Sequence, residues 1–453
     1  MADGDPLPPE PAPGAAARRR GTISQGRMAL LFLVMLTTAA GNTAMQSVMP
    51  SIGTELGVAD VWISLAYTWS ALLWVICAPL WARRSDRRGR KAMMALGLIG
   101  FSLSFALCGA ALVAGLRGVF GATGTLLLFA AARSLYGGFG SAAPPAVQAY
   151  VASRTPRAER TKAMALIASS FGLGTVIGPA IAPLLVFPAV GLAGPFVVFA
   201  AFGIAVLGAL RLGLPNDDPT YAARGQVTGA PFSASAGSAS AVADAEDPVA
   251  SDPIPDLHWR DRRLRPWLIA GLVGGHAQAA LLGLAGFFVL DRLGLRSDPA
   301  AGAGPVGTVL MAGAGATLLA QWGLIPNLGL GPRTSLLAGM GLASMGTICF
   351  AFAFDLHTIA LGFAIASMGF GLFRPGFTSG ASLAVSRAEQ GQVGGIVASL
   401  NGAAYIFAPA LGVWLYNHHE AVAFSVIGGL CAGVVGWGWR ALDSDRAMES
   451  PRG

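Results

Sequence analysis

Charged residues are scarce in this chain. Only 12% of its 453 residues are Asp, Glu, Lys or Arg, whereas 54% are hydrophobic and the mean hydropathy is +0.60. A soluble protein carries about twice that share of charge, so the composition excludes an ordinary soluble domain and favours a membrane protein. The net charge of +7 does not indicate a nucleic-acid partner, because the basic residues concentrate in loops on one predicted side of a bilayer.

Several chemical signatures are also missing. The four cysteines, Cys77, Cys108, Cys349 and Cys431, lie in apolar segments without paired or metal-binding spacing. No Gly-x-x-x-x-Gly-Lys-Ser/Thr loop is present, which disfavours ATP as the direct energy source. The five histidines do not group with carboxylates or cysteines at one predicted membrane depth. We therefore expect no catalytic site, no metal site and no cofactor.

Twelve apolar segments, each about long enough to cross a bilayer as a helix, account for most of the chain. Leu, Ala, Val, Phe and Gly predominate in all of them. Their predicted ranges are 28–50, 61–82, 92–114, 121–151, 162–187, 192–213, 265–290, 304–326, 333–353, 358–384, 391–416 and 420–440. The sequence therefore predicts an all-α membrane protein with 12 transmembrane helices, which we number as spans one to twelve.

The distribution of basic residues orients these spans. With the amino terminus placed inside, only Arg117, Arg292 and Arg296 fall in outer loops, and Arg133 and Arg374 fall within spans. All the other Arg and Lys residues lie in cytoplasmic loops or tails, or within the last two or three residues at the cytoplasmic end of a span. This asymmetry follows the positive-inside rule, so we expect both termini in the cytoplasm.

An internal repeat divides the spans into two halves. Residues 157–181 align without a gap on residues 387–411, with eight of 25 positions identical, and Pro145 aligns on Pro375 at the same shift. The predicted order is a disordered cytoplasmic tail (1–26), a six-helix half (27–213), a polar cytoplasmic linker (214–263), a second six-helix half (264–441) and a cytoplasmic tail (442–453).

The loop between spans two and three carries a dense basic cluster. Six of the nine residues over 83–91 are basic, and the segment Asp86–Lys91 reads Asp-Arg-Arg-Gly-Arg-Lys. Together with twelve spans and the repeat, this loop resembles the Gly-x-x-x-Asp-Arg-x-Gly-Arg-Lys/Arg pattern of the major facilitator superfamily, although Ala82 replaces the leading Gly. The resemblance implies a cytoplasmic charge lock formed by Asp86, Arg87, Gly89 and Arg90. The alternative is that these charges only set the topology.

Span four contains an arginine about 12 residues from its predicted start, roughly 18 Å into the membrane. Arg133 and Gly137 resemble the family's Arg-x-x-x-Gly element, and the resemblance implies a role for Arg133 in proton transfer and substrate binding. An arginine at this depth is costly and usually faces a cavity. The alternative is a structural arginine that carbonyl groups satisfy in a helix interface.

Span five carries a small-residue element. Gly174, Gly178 and Pro179 resemble the family's antiporter element Gly-x-x-x-Gly-Pro-x-x-Gly-Gly, although Ala182-Pro183 replaces the final glycines. Small residues one turn apart allow two helices to approach closely, and proline bends a helix. The resemblance favours an exporter.

Polar side chains within the spans are the candidates for a substrate or proton pathway, which we expect near the midplane between the halves. The family's cavity is lined by spans one, four, seven and ten. Each candidate could instead be a structural hydrogen bond between helices. The candidates are Asn42, Gln46, Arg133, Tyr136, His276, Gln278, Arg374, Asn401 and Tyr405.

No carboxylate lies in the middle of any predicted span. Asp291, at the outer end of span seven, is the nearest acid, and His276 has a side chain whose ordinary pKa suits physiological proton exchange. Proton coupling could use either residue, or transport could be uncoupled. Two midspan arginines favour an anionic or polar substrate, whereas abundant Phe, Trp and Met equally permit an amphipathic one.

These patterns together predict a secondary active transporter that moves a small molecule by alternating access. We expect a monomeric, proton-linked exporter of a drug or metabolite in a bacterial inner membrane, with the small molecule, protons and the lipid bilayer as its partners. An uptake symporter or uniporter of a polar or anionic metabolite is the main alternative. A membrane-embedded enzyme is the alternative from a different class, and the scattered histidines disfavour it.

Overall fold

The computed structural model describes residues 23–155, 157–216, 257–385 and 389–445. Regular structure in these ranges is helical, apart from one isolated β-bridge between Phe187 and Gly191. Eleven helices there are long and apolar enough to cross a membrane. Most of the predicted tails (1–26 and 442–453) and of the predicted linker (214–263) lies outside the described residues.

Five spans of the first half are each a single helix. Hydropathy places the end of span two near residue 82, but its helix continues to Arg88, because backbone hydrogen bonding does not stop at the membrane surface. Gly89 ends the helix with a φ of +87°, a conformation that favours glycine. The helices are Gln25–Glu55 (span one), Asp60–Arg88 (two), Arg90–Leu116 (three), Arg157–Ile181 (five) and Gly194–Gly213 (six).

Span four is broken, whereas the sequence predicts one helix over 121–151. Pro144 and Pro145 have no N–H to donate to the preceding turn, so the α-helical ladder is interrupted there. The two prolines remove the α-helical donors to the Gly140 and Ser141 carbonyl oxygens, and Ala143 N–H donates to that of Gly140. One turn earlier, the Gly138 carbonyl oxygen accepts hydrogen bonds from Trp81 Nε1 at 2.5 Å and Ser141 Oγ at 3.0 Å. The pieces of this crossing are Ala122–Gly138, a 3₁₀ turn Gly140–Ala142 and Ala143–Arg154.

The second half has six spans. Span eight leaves the α-helix through a wider π-helical turn, Leu319–Leu324, before it ends at Gly329, whose φ is +57°. The helices are Arg265–Arg292 (span seven), Pro299–Leu318 with Ile325–Leu328 (eight), Pro332–Ala351 (nine), Leu356–Leu383 (ten), Gln390–His418 (eleven) and Glu420–Ala441 (twelve). With the broken span four counted as one crossing, the predicted all-helical fold of 12 spans in two six-helix halves is confirmed.

Spans one and five pack through the predicted small-residue element. A Cβ atom at Gly174 would lie 2.7 Å from Ala39 Cβ and 2.8 Å from the Leu36 carbonyl oxygen. A Cβ atom at Gly178 would overlap Thr43 Oγ1 and the Ala40 carbonyl oxygen. The two backbones therefore approach at a distance that only glycine permits.

The halves meet closely at one end of the bundle. We call this end the outer end, following the predicted orientation of the spans. There, a Cβ atom at Gly302 would lie 3.0 Å from Ser51 Oγ, and one at Gly307 would lie 2.7 Å from the Pro179 carbonyl oxygen. The start of span eight is therefore pressed against spans one and five.

Candidate functional site

Two adjoining cavities lie between the halves. The first holds about 600 Å³ of empty space and is lined by spans one, five, seven, eight and ten. The second holds about 530 Å³ and is lined by spans one, two, seven, eight and eleven. Because Gln46, Leu282 and Leu310 line both, the two together form what we call the inter-half cavity.

The walls of the inter-half cavity are uncharged. Leucine, phenylalanine and proline side chains contribute apolar surface, with Phe363 and Phe370 in the first cavity and Phe287 in the second. No residue that lines these two cavities in the described part of the chain carries a formal charge. The polar lining groups are amides, hydroxyls and phenols, from Thr43, Gln46, Tyr67, Thr175, Gln278, Thr317, Ser367 and Tyr405.

Arg133 is completely buried within the first half. Its Nη2 donates a hydrogen bond to Asn42 Oδ1 at 2.9 Å, and its guanidinium lies 4.5 Å from the Tyr136 ring centroid. Its Nε and Nη1 groups have no hydrogen-bond partner among the described residues. The structure thus brings together three residues predicted from sequence, and it leaves two buried N–H groups of an arginine without an acceptor, which is energetically costly.

Arg374 occupies a different position in the second half. It is 4% exposed, its Nε donates to Gln278 Oε1 at 2.8 Å, and its Nη2 donates to the Tyr405 hydroxyl at 3.4 Å. Gln278 and Tyr405 both line the inter-half cavity, whereas Arg374 lies behind them. Three further predicted residues, from spans seven, ten and eleven, therefore form one hydrogen-bonded group at the cavity wall.

Three remaining candidates are placed differently. Gln46 lines both cavities. His276 lines neither, and its Nδ1 lies 2.7 Å from the Leu272 carbonyl oxygen one turn earlier. It is two residues from Gln278, about 200° around the helix, so the two side chains leave opposite faces of span seven. Asn401 also does not line either cavity.

The predicted charge lock is only partly visible. The side chains of Asp86 and Arg87 lie outside the described part of the structure, so the lock between them remains a prediction. Arg90 is 5% exposed and donates a hydrogen bond to Ser153 Oγ in the inner part of span four. Gly89, at φ +87°, turns the chain between spans two and three.

Lys91, the next residue, fastens this loop to span six. Its ammonium group donates to the carbonyl oxygens of Arg211, at 2.9 Å, and Leu214. It also donates to Asn216 Oδ1 at 3.1 Å. A cation at the end of a helix satisfies free carbonyl groups and complements the helix dipole. The described contacts of the basic loop are thus all within the first half.

Sequence reasoning missed the hydroxyl groups of the cavity wall. Thr43 Oγ1 donates to the Ala39 carbonyl oxygen at 3.0 Å, and Thr317 Oγ1 donates to that of Gly313 at 3.0 Å. Such hydrogen bonds to the preceding turn satisfy Ser and Thr hydroxyl groups in a membrane helix, whether the side chain faces lipid, another helix or a cavity. Sequence alone therefore carries little signal to separate the hydroxyls at the cavity from the others.

A second group was missed at the outer end. Arg296 donates to both carboxylate oxygens of Asp60 at 2.8 Å, and to those of Asp291 at 2.7 and 3.1 Å. It also donates to Thr54 Oγ1 at 3.1 Å, and the Tyr416 hydroxyl donates to Asp291 Oδ2 at 2.8 Å. We call these five residues the outer clasp. They come from spans one, two, seven and eleven and from the loop after span seven, so the clasp joins the two halves.

The electrostatics of the outer clasp keep Arg296 charged. Burial lowers the pKa of Arg296, but the hydrogen bonds and charges of Asp60 and Asp291 raise it by more, so that its pKa lies above the ordinary value. The signal available in the sequence was the rarity of outer basic residues, since Arg296 is one of only three. Its partner Asp60 is 236 positions away, and no local pattern links them.

Comparison with known proteins identifies what the chain resembles. A family model described as Major Facilitator Superfamily matches residues 31–409. The chain is 28% identical over 153 residues to Multidrug resistance protein MdtG of Proteus mirabilis, covering 33% of this chain and 35% of that protein. It is 31% identical over 185 residues to Multidrug resistance protein 1 of Bacillus subtilis, covering 40% and 44%.

A third similar protein is named as a transporter. The chain is 30% identical over 178 residues to the probable actinorhodin transporter of Streptomyces coelicolor, covering 39% of this chain and 28% of that protein. In all three cases the matched region spans less than half of the relative's length.

Solved structures share the fold. The human organic anion transporter MFSD10 superposes with a TM-score of 0.61 at 19% identity, covering 92% of this chain and all of that one. A bacterial homologue of the human lysosomal transporter Spinster, in an inward-facing and unoccupied conformation, superposes with a TM-score of 0.60 at 15% identity, covering 93% and 95%. At these identities the likeness concerns the fold alone.

Proposed function

The chain belongs to the Major Facilitator Superfamily, and from this premise we propose that it is a secondary active exporter of a small amphipathic molecule. One observation carries the proposal: an uncharged cavity, rich in apolar groups, lies between the two halves, where a substrate can meet both of them. The relatives named as multidrug resistance proteins and as an actinorhodin transporter support export. We place the protein in the cytoplasmic membrane of a bacterium as a proton-linked monomer.

The cavity wall favours a substrate that carries acceptor oxygens on an apolar body. Because the Oε1 atom of Gln278 accepts from Arg374, the amide group of Gln278 is oriented with its NH₂ away from the guanidinium. Gln278 can therefore offer a donor to the cavity, and Gln46 offers a second amide from the other half. A carbonyl or phenolic oxygen on the substrate would match these donors.

Uptake of an anionic metabolite is the second candidate function. The observation that favours it is Arg133, whose two unpartnered N–H groups would suit an anion. Against it, Arg133 and Arg374 are both buried, and neither lines the inter-half cavity. We therefore rank uptake below export. Proton coupling through His276 or Asp291 is part of the proposal.

Accumulation assays in efflux-deficient bacteria test the proposal. Cells expressing the wild type, Arg374→Ala or Arg117→Ala at matched membrane levels would receive a panel of labelled aromatic and anionic compounds, with and without a proton uncoupler. We expect lower accumulation with the wild type and with Arg117→Ala, a change in an exposed outer residue, but not with Arg374→Ala. The uncoupler should erase the difference. Higher accumulation with the wild type would establish uptake instead, and persistence under the uncoupler would remove proton coupling.

A further inference from the structure

The outer clasp is a set of ion pairs that bridges the halves rather than stabilising one of them. Asp60 begins span two of the first half, and Arg296 follows span seven of the second. The pair is joined by two parallel hydrogen bonds of 2.8 Å, the strongest geometry available to an arginine and a carboxylate. Asp60 is only 6% exposed, so solvent screens this pair less than an ordinary surface ion pair.

We propose that the outer clasp is the outer gate of the transporter, and that Arg296 must separate from Asp60 each time the inter-half cavity opens outward. The inference rests on the alternating access proposed above. Two halves that rock against each other must part at the outer end, and the Asp60–Arg296 pair lies across that seam. Within the second half, Asp291 and Tyr416 hold Arg296 in place.

The gate closes over a seam of tightly packed small residues. Below the clasp, Ser51 is completely buried, and its Oγ would lie 3.0 Å from a Cβ atom at Gly302 of the other half. A Cβ atom at Gly286 would lie 2.5 Å from Pro50 Cγ. Because Ser51 is buried by this packing, separation of the halves at the clasp would expose it to the outside.

A neighbouring ion pair provides a matched control. Arg292 pairs with Glu420, and its Nη2 also donates to the Ala351 carbonyl oxygen at 3.2 Å. These residues lie at the same outer end, but they belong to spans seven, twelve and nine, all in the second half. Removal of this pair changes the local charge as the removal of Arg296 does, yet it breaks no described contact between the halves.

Thiol labelling from outside tests the gate. Ser51→Cys would be introduced after replacement of the four native cysteines, and intact cells would be treated with a membrane-impermeant maleimide. We expect labelling to be several-fold faster with Asp60→Asn or Arg296→Gln than in the parent, and unchanged with Arg292→Gln. Arg296→Lys, which keeps a cation between Asp60 and Asp291, should label more slowly than Arg296→Gln, since the opposite charges across the seam remain.

Two other outcomes would each contradict the proposal that the outer clasp is the outer gate. Equal labelling rates in the parent and both clasp variants would show that the pair does not hold the outer end closed. If both clasp variants were absent from the membrane while Arg292→Gln was present, the clasp would be a folding requirement. The assay needs no substrate, so the exporter proposal can fail through the accumulation assays while faster labelling still supports the gate.

Discussion

The two arginines buried within spans contact different kinds of groups. Arg133 lies against the Tyr136 ring and has one side-chain acceptor in Asn42, whereas Arg374 is bonded to two groups of the cavity wall. The partners of Arg374, the Gln278 amide and the Tyr405 phenol, line the inter-half cavity, so we expect a substrate there to meet them before the guanidinium.

Replacement of Gln46 should weaken substrate binding without disturbing either arginine. Gln46→Leu removes one amide from a wall shared by both cavities, and one hydrogen bond is worth about 1 kcal/mol, so we expect the KM for efflux to rise roughly fivefold. The measurement is the concentration dependence of efflux in inverted membrane vesicles. Asn401→Leu alters an amide outside the cavity and should leave the KM unchanged. An equal rise of the KM in both variants would contradict the assignment of Gln46 to the substrate-binding wall of the inter-half cavity.

Replacement of Arg133 should separate transport from stability. Arg133→Met removes a buried charge with two unpartnered N–H groups, so the melting temperature in detergent should stay equal or rise. Transport should fall by about tenfold or more, because the role in proton transfer and substrate binding that the family resemblance implies for Arg133 would be lost, and a charged hydrogen bond is worth roughly 1.5–3 kcal/mol. Arg117→Met in an outer loop is the control for both measurements. A strong loss of stability with normal transport would make Arg133 a purely structural residue.

At the scale of elements, sequence patterns predicted the presence of each membrane-spanning helix better than the residues at which it ends or breaks. Apolar length and the positive-inside rule found all twelve crossings, because both depend on the bilayer rather than on neighbouring helices. The extension of span two to Arg88 and the break in span four were not predicted. The break follows from Pro144 and Pro145, which a test of apolar length does not take into account, whereas the bond from Trp81 of another span to the Gly138 carbonyl is a contact that sequence order does not reveal.

The contact between spans one and five should be intolerant of added volume. In Gly178→Ala the new methyl group would overlap Thr43 and the Ala40 carbonyl oxygen, so the helices must separate, at a cost of about 1–3 kcal/mol. We expect a lower melting temperature and lower membrane yield. Gly208→Ala in span six, where a Cβ atom meets nothing within 4 Å, is the matched control. Equal melting temperatures for the two variants would refute close packing at Gly178.

At the scale of the whole molecule, the relation between the halves was the hardest feature to predict. The repeat of 157–181 in 387–411 indicates two units, but it does not state which residues of one touch the other. Two candidates from one half, Asn42 and Arg133, are hydrogen-bonded to each other, although the sequence did not predict that contact. The Asp60–Arg296 pair depends on how two finished halves dock, and it was found only in the structure.

The halves should assemble when they are made as separate chains. A cut within the polar stretch 217–256 interrupts no predicted span, and the Asp60–Arg296 pair and the Ser51–Gly302 seam hold the halves without it. We expect the two coexpressed halves to copurify and to retain efflux. Introduction of Arg296→Gln into the second half should reduce copurification, whereas Arg292→Gln should not. Failure of the unmodified halves to associate would mean that the interface alone is too weak.

The break in span four has a mechanical consequence. Its outer segment carries Arg133, and its inner segment carries Ser153, the partner of Arg90 in the basic loop. At the break, the Gly138 carbonyl oxygen is bonded to two side chains rather than held in one continuous α-helical ladder. We therefore expect the inner segment to change its tilt at this joint more readily than an unbroken helix would, while the outer segment keeps the buried guanidinium of Arg133 in place.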